Sequence, residues 1–149
     1  MLRRSFLAAM ALLALLSPAS AAEDPVAVIR ELYRVHAEAE KTKIQAWMPP
    51  HRERFFTKKL GAAIARAYQR NEIGFDFIYD GQDFEIKDLE IAHVPGSGPV
   101  LSVEARFKNF GKPQRLVYTL AQEDGAWRIV DIRQHRANGW VLTKLLAKR

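Results

Sequence analysis

Two segments on either side of Pro49-Pro50 carry apolar residues at steps of three and four, the spacing of one face of a helix. Asp24 followed by Pro25 predicts the start of a first helix of about five turns, because Asp is a favoured N-cap and proline suits the first turn. Thr57 is the predicted N-cap of a second helix, and Asn71 is its predicted end.

From Phe75 onward the apolar residues alternate with polar ones, a period of two that is typical of strands. The predicted strands span residues 84–94, 101–108, 116–121 and 127–132. The first of these changes phase, which predicts a bend or bulge near Lys87-Asp88. Hairpin turns are predicted at residues 109–112 and 123–125. The strand over residues 127–132 is apolar on both faces, which predicts a central place in the sheet.

This order of elements predicts an α+β fold. N-terminal helices pack against a curved antiparallel sheet of about four strands, and a short C-terminal helix follows. Asn138 is the predicted cap of that last helix, whose apolar residues are expected to dock on the core. No repeat or linker divides the sequence, so residues 22–149 are predicted to form a single domain.

A basic, apolar and small-residue leader precedes this domain. Arg3-Arg4 is followed by an apolar run over residues 6–16, and Ala19-Ser20-Ala21 supplies small residues for cleavage. The run is shorter than the ~20 residues of a membrane-spanning helix, so residues 1–21 are predicted to be a cleavable signal peptide. The protein is then expected in the periplasm or secreted, with no transmembrane anchor after cleavage. The leucine-rich run favours general secretion, while the arginine pair leaves the twin-arginine route open.

The charge and the absence of cysteine limit the classes of partner and chemistry. Without cysteine, the chain has no disulfide, no thiolate metal site and no lipoprotein anchor. The formal net charge of +6 falls to +4 when the two leader arginines are removed (6 − 2), and the remaining cations are scattered. We therefore expect no specific nucleic-acid binding, and a small ligand or an envelope protein as the partner.

Three motifs carry a resemblance to a known superfamily. They are Asp124-Gly125-Ala126-Trp127-Arg128-Ile129-Val130-Asp131-Ile132, with its Gly-x-Trp-x-Ile pattern, then Phe77-Ile78-Tyr79-Asp80-Gly81-Gln82-Asp83, and the terminal segment 140–146. With this order of elements, the chain resembles an exported bacterial branch of the nuclear-transport-factor-two-like (SnoaL-like, cystatin-like) superfamily. The resemblance implies a curved sheet that wraps around helices as a cone, and the branch has no assigned function. Enzymes of the superfamily carry Asp, His or Tyr inside the cone.

A polar set inside such a cone supplies the candidate site residues. The candidate catalytic residues are His36, Tyr79, Asp80 and His135, and Tyr33 is a candidate ligand-binding residue. A histidine beside an aspartate can act as a general base near neutral pH, and a tyrosine can orient a substrate. The alternative role is structural, because His36 lies on the apolar face of its helix and the tyrosines suit a core with hydroxyls at its rim.

Arg128 and Arg133 are further candidate ligand-binding residues, because guanidinium groups bind carboxylates and phosphates. They belong to a basic stretch that also contains Arg136, Lys144, Lys148 and Arg149. The alternative role of this stretch is a solvated strand edge and helix face. An acidic cluster over residues 76–88 lacks the ligand spacing of a calcium loop, and the histidines lack zinc spacing. No metal and no cofactor are predicted.

The leading hypothesis from the sequence is a small, exported, non-enzymatic binding or interaction domain, because a leader is present and no catalytic motif accompanies it. The first alternative is a small cone-fold enzyme, a hydrolase, isomerase or dehydratase, that uses the Asp, His and Tyr interior. The second alternative is an inhibitor or immunity protein of an envelope enzyme.

Overall fold

The computed structural model describes residues 23–147. The predicted signal peptide lies outside the described residues and stays a prediction. The helices are α1 (Pro25–Thr42), α2 (Arg52–Phe55), α3 (Lys58–Gln69) and α4 (Leu142–Ala147). The strands are β1 (Ile86–Val94), β2 (Val100–Asn109), β3 (Lys112–Glu123) and β4 (Ala126–Gln134). Helices that precede an antiparallel sheet, with a short helix after it, confirm the predicted α+β class.

The predicted helix starts are confirmed by their capping hydrogen bonds. The Asp24 carboxylate accepts from the Val26 amide at 3.0 Å, and the Thr57 hydroxyl accepts from the Leu60 amide at 3.3 Å. Each bond satisfies one of the amides that the first turn of a helix leaves without a backbone partner. Helix α1 stops before the proline pair, because Lys43 turns into the left-handed region at φ 60°.

The four strands form one antiparallel sheet in the order β1-β2-β3-β4. Tight turns join β2 to β3 and β3 to β4, and both central residues of each turn have positive φ: Phe110-Gly111 and Asp124-Gly125. Such turns match the right-handed twist of the strands they join. The predicted bulge in β1 is confirmed, since the register shifts between Lys87 and Glu90 and Asp88 has φ 56°.

The prediction that β4 is central was wrong, because β4 lies at one edge of the sheet. Short bridges from two other segments cover the edge of β4 that does not pair with β3. Phe56 makes a parallel bridge to Ile129, and Val141 makes an antiparallel bridge to Arg133. Helices α2, α3 and α4 all contact β4. Apolar residues on both faces of β4 therefore do not make it central, because the core and the helices that contact it cover its faces and short bridges cover its edge.

The last helix begins later than its predicted cap implies. Helix α4 starts at Leu142, and its Thr143 amide and hydroxyl both donate to the Asp131 carboxylate on β4, at 3.1 and 2.9 Å. Asn138 lies before that first turn, in the bend that returns the chain to β4. The helix is therefore anchored by a strand residue rather than by its own preceding segment.

The hydrophobic core lies between α1 and the inward face of the sheet. Alternate residues of β2 and β3 enter it, among them Val103, Ala105, Phe107, Leu116, Tyr118 and Leu120. The segment between α3 and β1 contributes three consecutive buried residues, Phe77, Ile78 and Tyr79. The opposite face of β2 and β3 carries polar residues, as expected for an antiparallel sheet with one face on a core. Within residues 23–147, no helix is long and apolar enough to cross a lipid bilayer.

Candidate functional site

A closed loop at the centre of the core organises most of the candidate residues. The backbones of Asp76 and Gly81 exchange two hydrogen bonds, at 2.8 and 3.2 Å. Inside the loop, Asp76 Oδ1 accepts from the amides of Ile78 and Tyr79 at 2.8 and 2.9 Å. These bonds satisfy polar groups that would otherwise be buried without partners. We call residues 76–81 the core loop.

His36 on α1 binds the core loop from one side. Its ring nitrogen Nε2 donates to Asp76 Oδ2 at 2.6 Å. The residue is only 2% exposed, and the rings of Tyr79 and Trp47 pack against it with centroids 4.5 and 5.0 Å away. The other ring nitrogen, Nδ1, is buried and has no partner among the described residues. A histidine enclosed in this way cannot reach a substrate unless the core opens.

Two tyrosines form a relay that ends on the same loop. The Tyr118 hydroxyl donates to the Tyr33 hydroxyl at 2.9 Å, and that hydroxyl donates to the Ile78 carbonyl at 3.1 Å. Burial raises the pKa of Tyr33 and of Tyr118 well above the ordinary value. Burial, with the nearby Asp76 charge, raises the pKa of Tyr79 to about 12. The phenols are therefore neutral donors at physiological pH.

Asp80 closes the other side of the loop, with φ 56°. Its Oδ1 accepts from the Trp140 indole nitrogen at 2.8 Å, and its Oδ2 accepts from the Gln134 side-chain amide. The Arg136 guanidinium lies 3.6 Å from Oδ2. Asp80 thus ties the core loop to the end of β4 and to the returning segment before α4, and it takes no part in the His36 contact.

The remaining sequence candidates lie apart from this interior set. His135 is exposed beyond the end of β4, where its amide donates to the Arg115 carbonyl. Arg128 is half-buried and donates to the Trp127 carbonyl at 3.1 Å. Arg133 is exposed on β4, opposite Val117 of β3. The structure therefore brings together His36, Tyr79 and Tyr33 and places Asp80 on the other side of the same loop. It places His135, Arg128 and Arg133 elsewhere.

The outward face of the sheet holds a charged cluster that was absent from the sequence candidates. Glu104 is only 6% exposed, although it points away from the core. Its two oxygens each accept from the Nε of one arginine, Oε1 from Arg106 and Oε2 from Arg115. The side chains of Arg106 and Arg115 are 58% and 41% exposed. We call these three residues the arginine clamp.

A shallow groove of about 840 Å³ crosses this end of the outward face. Its charged and polar lining includes Asp88, Glu90, Arg106, Lys108, Arg115 and Arg136. The groove therefore has a cationic floor with carboxylates at its β1 side. Within residues 23–147, no group of three or more histidine, cysteine or acidic residues is placed to hold a metal ion.

The arginine clamp could have been predicted from the sequence, whereas the contact between His36 and Asp76 could not. The clamp was derivable, because a two-residue turn at residues 110–111 places Arg106 opposite Arg115, and alternation places Glu104 on the same face. The contact between His36 and Asp76 joins residues 40 positions apart through tertiary packing. No local pattern in the chain encodes it.

Comparison with known proteins supports the fold alone. No family model matches the chain, and no curated protein matches it. The fold is similar to a chain in the crystal structure of the type VI native effector–immunity complex Tae3–Tai3 from Ralstonia pickettii. The TM-score is 0.63 at 18% identity, and the match covers 76% of this chain and 96% of that chain. The chain is thus similar to a small α+β protein, and the nuclear-transport-factor-two-like resemblance stays a prediction.

Removing the Tyr33 hydroxyl, in the middle of the tyrosine relay, should destabilise the fold more than removing the Tyr118 hydroxyl at its end. In Tyr33→Phe, the Ile78 carbonyl loses its donor and the Tyr118 hydroxyl loses its acceptor. We expect a loss of about 1–3 kcal/mol in the free energy of unfolding. The matched control Tyr118→Phe leaves the bond to Ile78 intact and should cost about 1 kcal/mol or less. Urea denaturation measures both, and an equal or larger loss in Tyr118→Phe would contradict the relay.

Alkaline pH should unfold the protein through its buried phenols. The pKa values of Tyr33, Tyr79 and Tyr118 are raised in the folded state. The stability that these neutral phenols contribute to the fold is therefore fully present below the unfolded-state pKa of about 10, and it is lost as pH rises above that value. Each should lower the free energy of unfolding by about 1.4 kcal/mol per pH unit until its folded pKa is reached. Phenolate absorbance should show Tyr33, Tyr79 and Tyr118 ionising together in one cooperative step, at the pH where circular dichroism shows unfolding. Gradual ionisation of these three tyrosines in protein that stays folded would refute this.

Proposed function

We propose that this chain is an exported, non-enzymatic domain that binds another protein in the cell envelope. The observation that carries the proposal is the outward face of the sheet, where a buried carboxylate holds two exposed arginines. Glu104 is buried, so hydrogen bonds from the two arginines offset the cost of burying its charge. Both bonds use Nε, and the oriented Nη groups that they leave unused on the exposed arginines are the feature that recognition of a partner would explain.

The interior supports a binding domain over the enzyme alternative. His36 and Asp76 have the residue types of a general-base pair, but the His36 ring is enclosed by Trp47 and Tyr79. General base catalysis needs the base within hydrogen-bond reach of the substrate proton. His135, the other candidate histidine, lies exposed on the sheet end. A hydrolase, isomerase or dehydratase would require the core loop to open.

Export is the part of the proposal that rests on the leader. The arginine pair, the apolar run over residues 6–16 and Ala19-Ser20-Ala21 have the layout of a secretory signal. Cleavage after Ala21 would release residues 22–149 into the periplasm or the medium. The chain contains no cysteine, so it cannot form disulfides in an oxidising compartment. Its core of buried aliphatic and aromatic residues must therefore keep it folded there.

A role as an immunity protein is the second candidate, and it is suggested by the effector–immunity complex that contains the structural neighbour. That neighbour is a chain of an effector–immunity complex, and 96% of it is covered by the match. An immunity protein is a binding domain whose partner is a toxic enzyme, so this candidate is a special case of the first. The neighbour's complex supports a protein as the partner of this chain.

Site-directed photo-crosslinking in the native cells tests the binding proposal. A photo-reactive residue at Ala92, exposed on the outward face of β1 beside Glu104, should give a covalent adduct with one envelope protein. The matched control is Ala62, exposed on α3 and remote from that face in the fold. The adducted chain should be the mature form, starting at Ala22. Adducts that are absent at Ala92, or identical from both positions, would overturn the proposal.

Contact-dependent competition separates the immunity candidate from other binding roles. A strain that lacks this gene should be killed by its parent in mixed culture on a surface, and plasmid-borne protein should restore survival. A version without residues 1–21 should restore nothing, because the protein would stay in the cytoplasm. Full survival of the deletion strain would remove the immunity role and leave the broader binding proposal in place.

A further inference from the structure

We propose that the arginine clamp is a recognition site for carboxylate side chains on an acidic segment of the partner protein. This inference rests on the proposed function and names the chemistry of the same face. The clamp consists of Glu104 and Arg106 on β2 and Arg115 on β3. The partner's Asp or Glu would accept hydrogen bonds from the guanidinium nitrogens that the clamp leaves unused.

The register between β2 and β3 places the positive charges of the two arginines next to each other, which destabilises this part of the sheet. Arg106 and Arg115 are direct partners in the pairing of β2 with β3. Like charges placed directly opposite each other destabilise an antiparallel pair. Glu104 relieves the repulsion with a single charge, so the cluster of two cations and one anion keeps a net positive charge. Each buried oxygen of Glu104 is satisfied by one arginine, and the second arginine supplies the surplus positive charge.

The hydrogen bonds inside the clamp leave the binding edges of both arginines open. Each arginine donates to Glu104 through Nε. The Nη1 and Nη2 groups of both therefore keep donors for an external acceptor. Guanidinium groups bind carboxylates in a planar, bidentate geometry, and Glu104 already limits their rotamers. The conformational cost of binding is reduced because part of the ordering is complete before the partner arrives.

Glu104 stays ionised over the range in which the clamp would act. Burial opposes its ionisation, but hydrogen bonds from Arg115 and Arg106 outweigh burial and lower the pKa of the carboxyl below its ordinary value. The orienting anion is therefore present at neutral pH. The clamp offers a fixed pair of donors rather than two mobile surface cations.

The surroundings of the clamp favour a protein over an anionic bilayer or a nucleic acid. Glu90 is the pairing partner of Arg106 on β1, and Asp88 binds Lys108 at 2.7 Å in the same groove. These carboxylates would repel a continuous array of phosphates. A protein segment can match both signs, with an acidic residue on the clamp and a basic or neutral residue beside Glu90. Charge complementarity thus selects a partner that is acidic only locally.

Nuclear magnetic resonance of the mature protein tests the inference with a defined probe. The probe is the peptide acetyl-Ala-Glu-Ala-Glu-Ala-amide, whose two glutamates lie on one side of an extended chain. Its control has glutamine in place of both glutamates. We expect titration shifts at the Nε–Hε signals of Arg106 and Arg115 and at neighbouring β2 and β3 amides. Shifts spread evenly over exposed cations, or equal shifts with the glutamine peptide, would overturn the assignment.

Charge-conserving variants distinguish fixed geometry from net charge. Arg106→Lys and Arg115→Lys keep both positive charges but remove the bidentate guanidinium, and each should weaken peptide binding at least about tenfold. Arg66→Gln, on the exposed face of α3, removes one charge elsewhere and should leave the affinity unchanged. The spectra of each variant report whether it is folded. An unchanged affinity in the folded lysine variants, or an equal loss in Arg66→Gln, would refute the clamp.

Two further probes test the class of partner. Vesicles of phosphatidylcholine with phosphatidylglycerol, and a single-stranded DNA oligonucleotide, should leave the clamp signals unshifted at physiological salt. Shifts produced by either probe and not by the glutamate peptide would overturn the assignment to protein carboxylates. If a crosslinked partner binds the lysine variants as tightly as wild type, this inference fails while the proposed function stands. If the peptide binds the clamp but no envelope partner exists, the recognition chemistry is supported and the proposed function fails.

Discussion

The hydrogen bonds that close the core loop over residues 76–81 hold Phe77, Ile78 and Tyr79 at the centre of the core. Separate parts of the chain attach to this loop through side chains. Helix α1 attaches by His36, strand β3 attaches by the relay from Tyr118, and the end of β4 attaches to Asp80. The loop therefore sets the distance between the helical layer and the sheet. Its polar groups are buried, so each lost partner would leave an unsatisfied donor or acceptor.

The polar residues of this fold form two groups, one that stabilises the interior and one that lies on the outward face of the sheet. The interior group consists of the sequence candidates His36, Tyr33, Tyr79 and Asp80 together with Tyr118, all hydrogen-bonded or packed inside the fold. The remaining catalytic candidate, His135, is exposed. The charged residues open to a partner lie on the other face of the sheet, where Glu104 orients Arg106 and Arg115. Because strands present alternate residues to opposite faces, β3 contributes to both groups, with Tyr118 in the interior and Arg115 on the outward face. A change on the outward face can therefore alter recognition while the core stays intact.

Local patterns predicted the parts of the fold that local forces determine. The caps at Asp24 and Thr57, both hairpin turns and the bulge in β1 follow from short segments of sequence. The edge position of β4 did not, since apolar residues on both faces indicate only that both faces are covered and not that strands pair with both edges. The contacts of His36 with Asp76 and of Asp80 with Trp140 join distant segments, and packing alone selects them. The arginine clamp could have been predicted from the sequence, because the first hairpin turn sets the register between Arg106 and Arg115.

Native-state hydrogen exchange at the Ile78 and Tyr79 amides tests most directly whether the core loop is structural. Both amides donate to Asp76 Oδ1 inside the core. If the whole fold depends on this loop, they should exchange only through global unfolding, with an opening free energy equal to that from denaturation. Exchange through a local opening, several kcal/mol below the global value, would contradict the account. It would also expose His36 beside Asp76 and favour the enzyme alternative over the binding domain.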